Sequence, residues 1–226
     1  MSLISAVPAE SGRAPQPVLA GLWLFAPSRD SQGGSAWWLE WPQPVGGLLI
    51  DCPGYTEANL AFLRERGAGR IVLTSREGHG RVRRFQEALG WPVLVQEQEA
   101  YLLPGVQRLE AFGREHSIAD DLRLLWTPGP TPGSCVLLAG EGLFCGRLLS
   151  PTAPGQAAPL RTSRSFHWGR WLRSLEALRG WLPEGSPRWI ATGAALGALG
   201  GEKLITPARP LLDRLDLEAL ALQQAR

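Results

Sequence analysis

Residues 122–150 read Leu122-Arg-Leu-Leu-Trp-Thr-Pro-Gly-Pro-Thr-Pro-Gly-Ser-Cys-Val-Leu-Leu-Ala-Gly-Glu-Gly-Leu-Phe-Cys-Gly-Arg-Leu-Leu-Ser150. An apolar run, a rigid Pro/Gly loop, a second apolar run, an Ala-Gly-Glu-Gly turn and a third apolar run follow one another. Short apolar segments bounded by Gly and Pro suit strands of a buried sheet better than a helix. Three consecutive strands are predicted here, and the loop at 127–134 is too stiff to be a mere linker.

Upstream, residues 1–17 are Ser/Pro/Ala-rich without periodicity and are expected to be a loose tail, with one domain over 18–226. Val18 to Pro27 and Ala36 to Trp41 read as two strands of a hairpin, and Gly46 to Asp51 as a third. Thr56 is an N-cap for a helix that carries Leu60 and Leu63 and ends near Gly67. Arg70 to Thr74 is a buried strand, Val82 to Leu89 a helix closed by Gly90, and Pro92 to Gln96 another strand. Residues 97–121 are acidic and weakly patterned. Downstream, Pro151 to Pro159 reads as a loop and His167 to Leu178 as an amphipathic helix. Trp189 to Thr192 is a short strand, and Leu211 to Gln224 a terminal helix announced by Thr206-Pro207.

The 226 residues are 44% apolar, enough for a full core, and the net charge is only +2. That charge supplies no global attraction for nucleic acid or an anionic membrane, and nucleic acid is not expected as a partner. Lys203 is the only lysine among 23 basic residues. Cys52, Cys135 and Cys145 are odd in number, lack CxxC spacing and read as small buried hydrophobes of a reducing compartment. The N-terminus has no basic and apolar signal pattern, and no stretch reaches the roughly 18 apolar residues of a membrane span. A cytoplasmic location is expected. Most of the ten tryptophans should be core residues.

The central stretch resembles the metallo-β-lactamase fold family, in which Thr-Pro-Gly-His-Thr-Pro-Gly presents a zinc-binding histidine and a following strand ends in Gly-Asp. Element order alone leaves several α/β topologies open. The resemblance, which spans about residues 18 to 200, implies a four-layer αββα sandwich. It also implies a metal-bound hydroxide that hydrolyses esters, thioesters, lactams or phosphodiesters. At the ligand positions the residues differ. After Val72-Leu73-Thr74, the first two histidine positions hold Ser75 and Glu77. With the common spacing the Asp-His pair falls on His79 and Gly80. A longer spacing, favoured by Arg76, Glu77, Phe85 and Gly90, puts it on Arg81 and Val82. The loop histidine is Pro130, the bridging aspartate is Arg147, and the late Gly-His is Gly193-Ala194. Asp51 resembles the family's aspartate after an Ile-Asp strand, which orients a metal ligand, and it also suits a strand-end cap of backbone amides.

A catalytic zinc needs three or four N, S or carboxylate donors, and only Glu77 and His79 remain, beside a permanent cation. Zinc, the family's metal, is therefore not expected as a cofactor. No catalytic residue is assigned. Arg147 is expected to turn into the former metal cavity and pair with Asp51 or Glu77. His79 reads as a solvent-facing loop residue, and His116 and His167 carry no chemistry. Ser134-Cys135 lacks a nucleophile elbow. Arg161, Arg164, Arg170 and Arg173 read as a solvated face. The sequence thus describes a degenerate hydrolase whose leading role is to bind a protein or small ligand. The alternative is a hydrolase with weak single-metal or metal-free activity through Glu77, His79 and Asp51.

Overall fold

Trp37 and Trp38 are neighbours in sequence and both fully buried, yet they belong to different cores. Side chains alternate across a strand, so a strand apolar on both faces must be covered on both sides. The structure, a computed structural model that describes residues 10–222, supplies both covers. One sheet runs β1 (Gln16–Leu19), β2 (Leu22–Leu24), β3 (Trp37–Glu40), β4 (Gly47–Ile50), β5 (Gly69–Val72), β6 (Val93–Gln96) and β7 (Leu109–Phe112), in that spatial order. β1 to β4 form an antiparallel meander, and β4 to β7 are parallel. Parallel neighbours need crossovers. Two of these are helical, α1 (Glu57–Glu65) and α2 (Val82–Leu89); a short helix, α3 (Glu97–Ala100), follows β6.

The second sheet contains β8 (Glu115–Ala119), β9 (Leu122–Trp126), β10 (Cys135–Ala139) and β11 (Gly142–Phe144), the last three being the strands of the central stretch. A separate hairpin, β12 (Ser150–Ala153) and β13 (Gln156–Ala158), follows, then α4 (Trp168–Trp181) and β14 (Trp189–Ala191). The order is β14-β11-β10-β9-β8, with β14 parallel to β11. α5 (Ala208–Arg214) and α6 (Leu217–Ala221) close the described chain.

Burial sorts into three cores that match four layers. Trp37, Ile50, Val72 and Leu94 of the first sheet meet Leu124, Leu137 and Phe144 of the second between the sheets. Trp38, Leu49 and Val93 meet Leu60, Leu63 and Phe85 of α1 and α2. Val136, Leu138 and Ile190 meet Trp171, Leu175 and Leu178 of α4 and Leu211 and Leu212 of α5. Each fully buried leucine or phenylalanine contributes roughly 1.5–3 kcal/mol of transfer free energy.

Several local expectations are corrected. Val18 to Pro27 is two strands, because Gly21 adopts φ 73° and turns the chain between β1 and β2. The weakly patterned 97–121 region holds α3, β7 and β8, whose exposed positions blur the alternation. The Pro/Ala segment after Ser150 is the β12–β13 hairpin. The terminal helix starts three residues early and breaks at Leu215, where Asp216 caps α6 through Ala219 N–H; its expected end at Gln224 lies outside the described residues. Residues 1–9 of the expected tail also lie outside them. The Glu10 and Ser11 carbonyls accept the Glu57 and Ala58 amides, so that part of the tail is tied to the start of α1.

Candidate functional site

The C-terminal ends of β4 and β5 and the loops after β9 and β11 meet at one edge of the sandwich. Asp51 leaves β4 with φ 58°, a left-handed conformation that aspartate tolerates better than most residues. Its carboxylate is buried and turned onto Thr74: Oδ1 accepts the Thr74 amide at 2.8 Å and Oδ2 the Thr74 hydroxyl at 2.6 Å. A Cβ on Gly78 would fall 2.1 Å from Oδ1, so glycine is required there for the turn after β5 to approach Asp51. Burial pushes the Asp51 carboxyl up to about 6 despite both bonds and the nearby Arg147 charge.

Ser75 is buried, and Arg76–Gly78 forms a single 3-10 turn. His79 follows, and it is buried rather than solvent-facing. The turn draws it inward, and its Nε2 lies 4.0 Å from Glu99 Oε2, too far for a hydrogen bond. Desolvation, with the nearby Arg76 charge, lowers its pKa to about 4, so the imidazole is neutral. The same carboxylate would favour the imidazolium, but burial outweighs a contact of that length.

Glu99 carries no sequence signal and organises the site. On α3 and fully buried, it accepts the Gly133 amide at 3.0 Å through Oε1 and the Arg76 amide through Oε2. It thereby ties the loop after β5 to the Pro/Gly loop. Its position in an acidic, exposed-looking stretch hid it; only the lone buried position in Glu97–Ala100 marks it.

The Pro/Gly loop is fixed from the other side as well. The Pro130 carbonyl accepts the Phe166 amide, the Gly129 carbonyl accepts the His167 amide, and a Cβ on Gly129 would fall 2.3 Å from Trp171 Cβ. His167, assigned no chemistry, caps α4 by accepting the Arg170 amide on Nδ1. Beyond β11, Arg147 turns into the site: Nε is 3.2 Å from Glu77 Oε2, and Nη2 donates to the Ser31 carbonyl at 2.8 Å. Asp51 is its electrostatic neighbour, not its ion-pair partner. Just past β14, the Thr192 hydroxyl reaches the Gly146 and Leu149 carbonyls and accepts the Ala194 amide. A cavity of about 450 Å³ opens over this pair, with Pro130, Arg147 and Ala194 in its wall.

The donor set does not fit a metal. Pro130 and Ala194 have no side-chain donor, Glu77 is engaged by a guanidinium, Asp51 is spent on Thr74, and the His79 Nε2 lies nearest Glu99, which is itself spent on two amides. Among the described residues no group of three or more His, Cys, Asp and Glu side chains is placed to hold an ion. The thiols offer no nucleophile: burial pushes Cys52 and Cys135 well above the ordinary thiol range and Cys145 to about 11.

The layer order, the strand order and this edge site decide the fold. The chain has the metallo-β-lactamase fold. Solved structures of that fold superpose along nearly the whole chain. DIM-1 metallo-β-lactamase matches with TM-score 0.62 and 16% identity, over 89% of this chain and 97% of its own. A metallo-β-lactamase superfamily protein of Sulfolobus tokodaii matches with TM-score 0.61 and 15% identity, over 91% and 88%. A B3 metallo-β-lactamase with an active-site glutamic acid matches with TM-score 0.59 and 18% identity, over 98% and 93%. No family model and no curated protein matches the sequence. No helix among the described residues is long and apolar enough to cross a membrane.

Proposed function

We propose that this metallo-β-lactamase-fold chain acts by binding rather than by metal-dependent hydrolysis, with its ligand or partner docking at the cavity over Arg147. The ion pair between Arg147 and Glu77 carries this reading. It sets a permanent cation where the family resemblance puts a bridging carboxylate, and it engages one of the two remaining donors. Pro130 and Ala194 remove two more positions from any ligand set. The three unpaired, buried cysteines suit a reducing compartment, and we place the protein in the cytoplasm.

A second reading, hydrolysis through a weakly held metal or through Glu77, His79 and Asp51, draws support from the fold relative with an active-site glutamic acid. Elemental analysis of protein purified without chelators separates the two. We expect far less than one metal per chain, no zinc-dependent rise in melting temperature and no turnover of generic esters. Near-stoichiometric zinc or iron together with ester hydrolysis would overturn the binding reading.

A further inference from the structure

From Gly142 to Leu175 the chain contains five arginines and no acidic residue. Two of the five are occupied by rings: the Arg161 guanidinium lies 5.8 Å from the Trp168 ring centroid and that of Arg170 5.8 Å from Phe166. Arg147 is anchored by Glu77 and Ser31. Arg164 is exposed at the rim of the 450 Å³ cavity and has no acidic partner among the described residues.

The ionised side chains of that cavity are Arg147, Arg164 and Glu77, which leaves one net positive charge. Its other walls are largely apolar: Leu160, nearly half exposed, with Pro130, Pro151 and Trp171. The volume falls within the roughly 300–1,000 Å³ of small-molecule sites. A larger cleft of about 600 Å³ near α1 is also basic, with Arg13, Arg29, Arg81 and Arg84 against Glu10 and Asp30, but it is lined mainly by polar and charged side chains and offers little apolar wall for an organic body.

We infer that the cavity over Arg147 binds a small organic anion, with an oxyanion head held by Arg147 and Arg164 and an apolar body against Leu160 and Trp171. A planar guanidinium meets carboxylate or phosphate oxygens with paired N–H donors. Arg147 uses Nε on Glu77 and one Nη2 hydrogen on Ser31, so the rest of its fork is available for a head group. This inference rests on the binding reading above and names the ligand class for that site.

The test is calorimetric titration of the full chain with phenyl phosphate and benzoate, set against inorganic phosphate and the neutral benzyl alcohol. At least one aromatic anion should bind saturably at one per chain, more tightly than inorganic phosphate, and benzyl alcohol should not bind. Arg164→Gln should weaken that binding at least about tenfold, as loss of a charged hydrogen-bond partner does. Arg173→Gln, outside the cavity, should leave it unchanged. Benzyl alcohol binding equal to that of the anions, no effect of Arg164→Gln, or equal weakening by both variants would overturn the assignment. So would tighter, steeply salt-dependent binding of a single-stranded oligonucleotide to which all these arginines contribute equally. Metal content measured on the same samples separates the two readings. Zinc-loaded protein that hydrolyses phenyl phosphate refutes the binding reading, whereas metal-free protein that ignores every anion refutes only the ligand class.

Discussion

Arg147 holds Glu77 rather than Asp51, with 3.2 Å between Nε and Oε2 and about a quarter of each side chain exposed. This partly exposed pair is neither a buried charge nor a surface ornament. An ion pair this accessible is worth at most about 1 kcal/mol, and the bond to the Ser31 carbonyl adds about 0.5–1.5 kcal/mol. Arg147→Ala should therefore lower stability by about 1–2 kcal/mol in denaturant melts. A double-mutant cycle with Glu77→Ala should return a coupling under about 1 kcal/mol. A loss of 3 kcal/mol or more would mean that a buried carboxylate had been stranded.

Glu99 gives the second expectation. Its carboxylate accepts two backbone amides from two loops, and neither amide has another acceptor among the described residues. Glu99→Ala should cost about 2–4 kcal/mol, since two buried donors lose a charged acceptor. Glu99→Gln keeps one acceptor and should lose roughly half as much. Equal melts for the wild type and both variants would show that water takes over both amides.

The contrast between Glu99 and Leu122–Ser150 shows what the sequence could reveal. The three central strands appear where the apolar runs stand, because Gly and Pro fix their ends and both faces are buried. Thr56, Val82–Leu89 and Gly90 were legible for the same local reason: a cap or a helix stop is read from one or two residues. Glu99, the inward turn of His79 and the β12–β13 hairpin depend on contacts made by residues distant in sequence. A glutamate in Glu97-Gln98-Glu99 looks solvent-bound until the Pro/Gly loop and the turn after β5 each arrive with one amide. The choice of Glu77 over Asp51 by Arg147 was likewise open, because the spacing of both from β11 is set only by how the sheets pack.

Restoring a single ligand should not rebuild a metal site. Pro130→His places an imidazole in the loop, but Arg147 still occupies the bridging position and Glu77 remains its partner. Metal content by elemental analysis should stay far below one ion per chain, and zinc should not raise the melting temperature. Stoichiometric zinc from this one change would show that the remaining donors are far better placed than their contacts imply.

The last expectation concerns pH, where Asp51 and His79 oppose each other. The Asp51 pKa rises from 3.8 to about 6 on folding, so between those values the native state binds the extra proton. Its contribution is fully present below pH 3.8 and is lost as pH rises through 6. The His79 pKa falls from 6.5 to about 4, so between those values the unfolded chain binds the extra proton. That contribution is fully present above pH 6.5 and is lost as pH falls through 4. Each slope is about 1.4 kcal/mol per pH unit at its steepest, and across pH 4 to 6 the signs are opposite. The wild type should owe almost no net pH dependence to this pair in that window. Asp51→Asn keeps an acceptor for the Thr74 amide and tolerates the left-handed backbone. It should expose the histidine slope, so the variant gains stability relative to wild type as pH rises from 4 to 6. His79→Gln should do the reverse, losing relative stability over the same range. Chemical denaturation at pH 4, 5, 6 and 7 measures both differences. Parallel curves for wild type and Asp51→Asn would show that the carboxyl titrates at its ordinary value despite its burial.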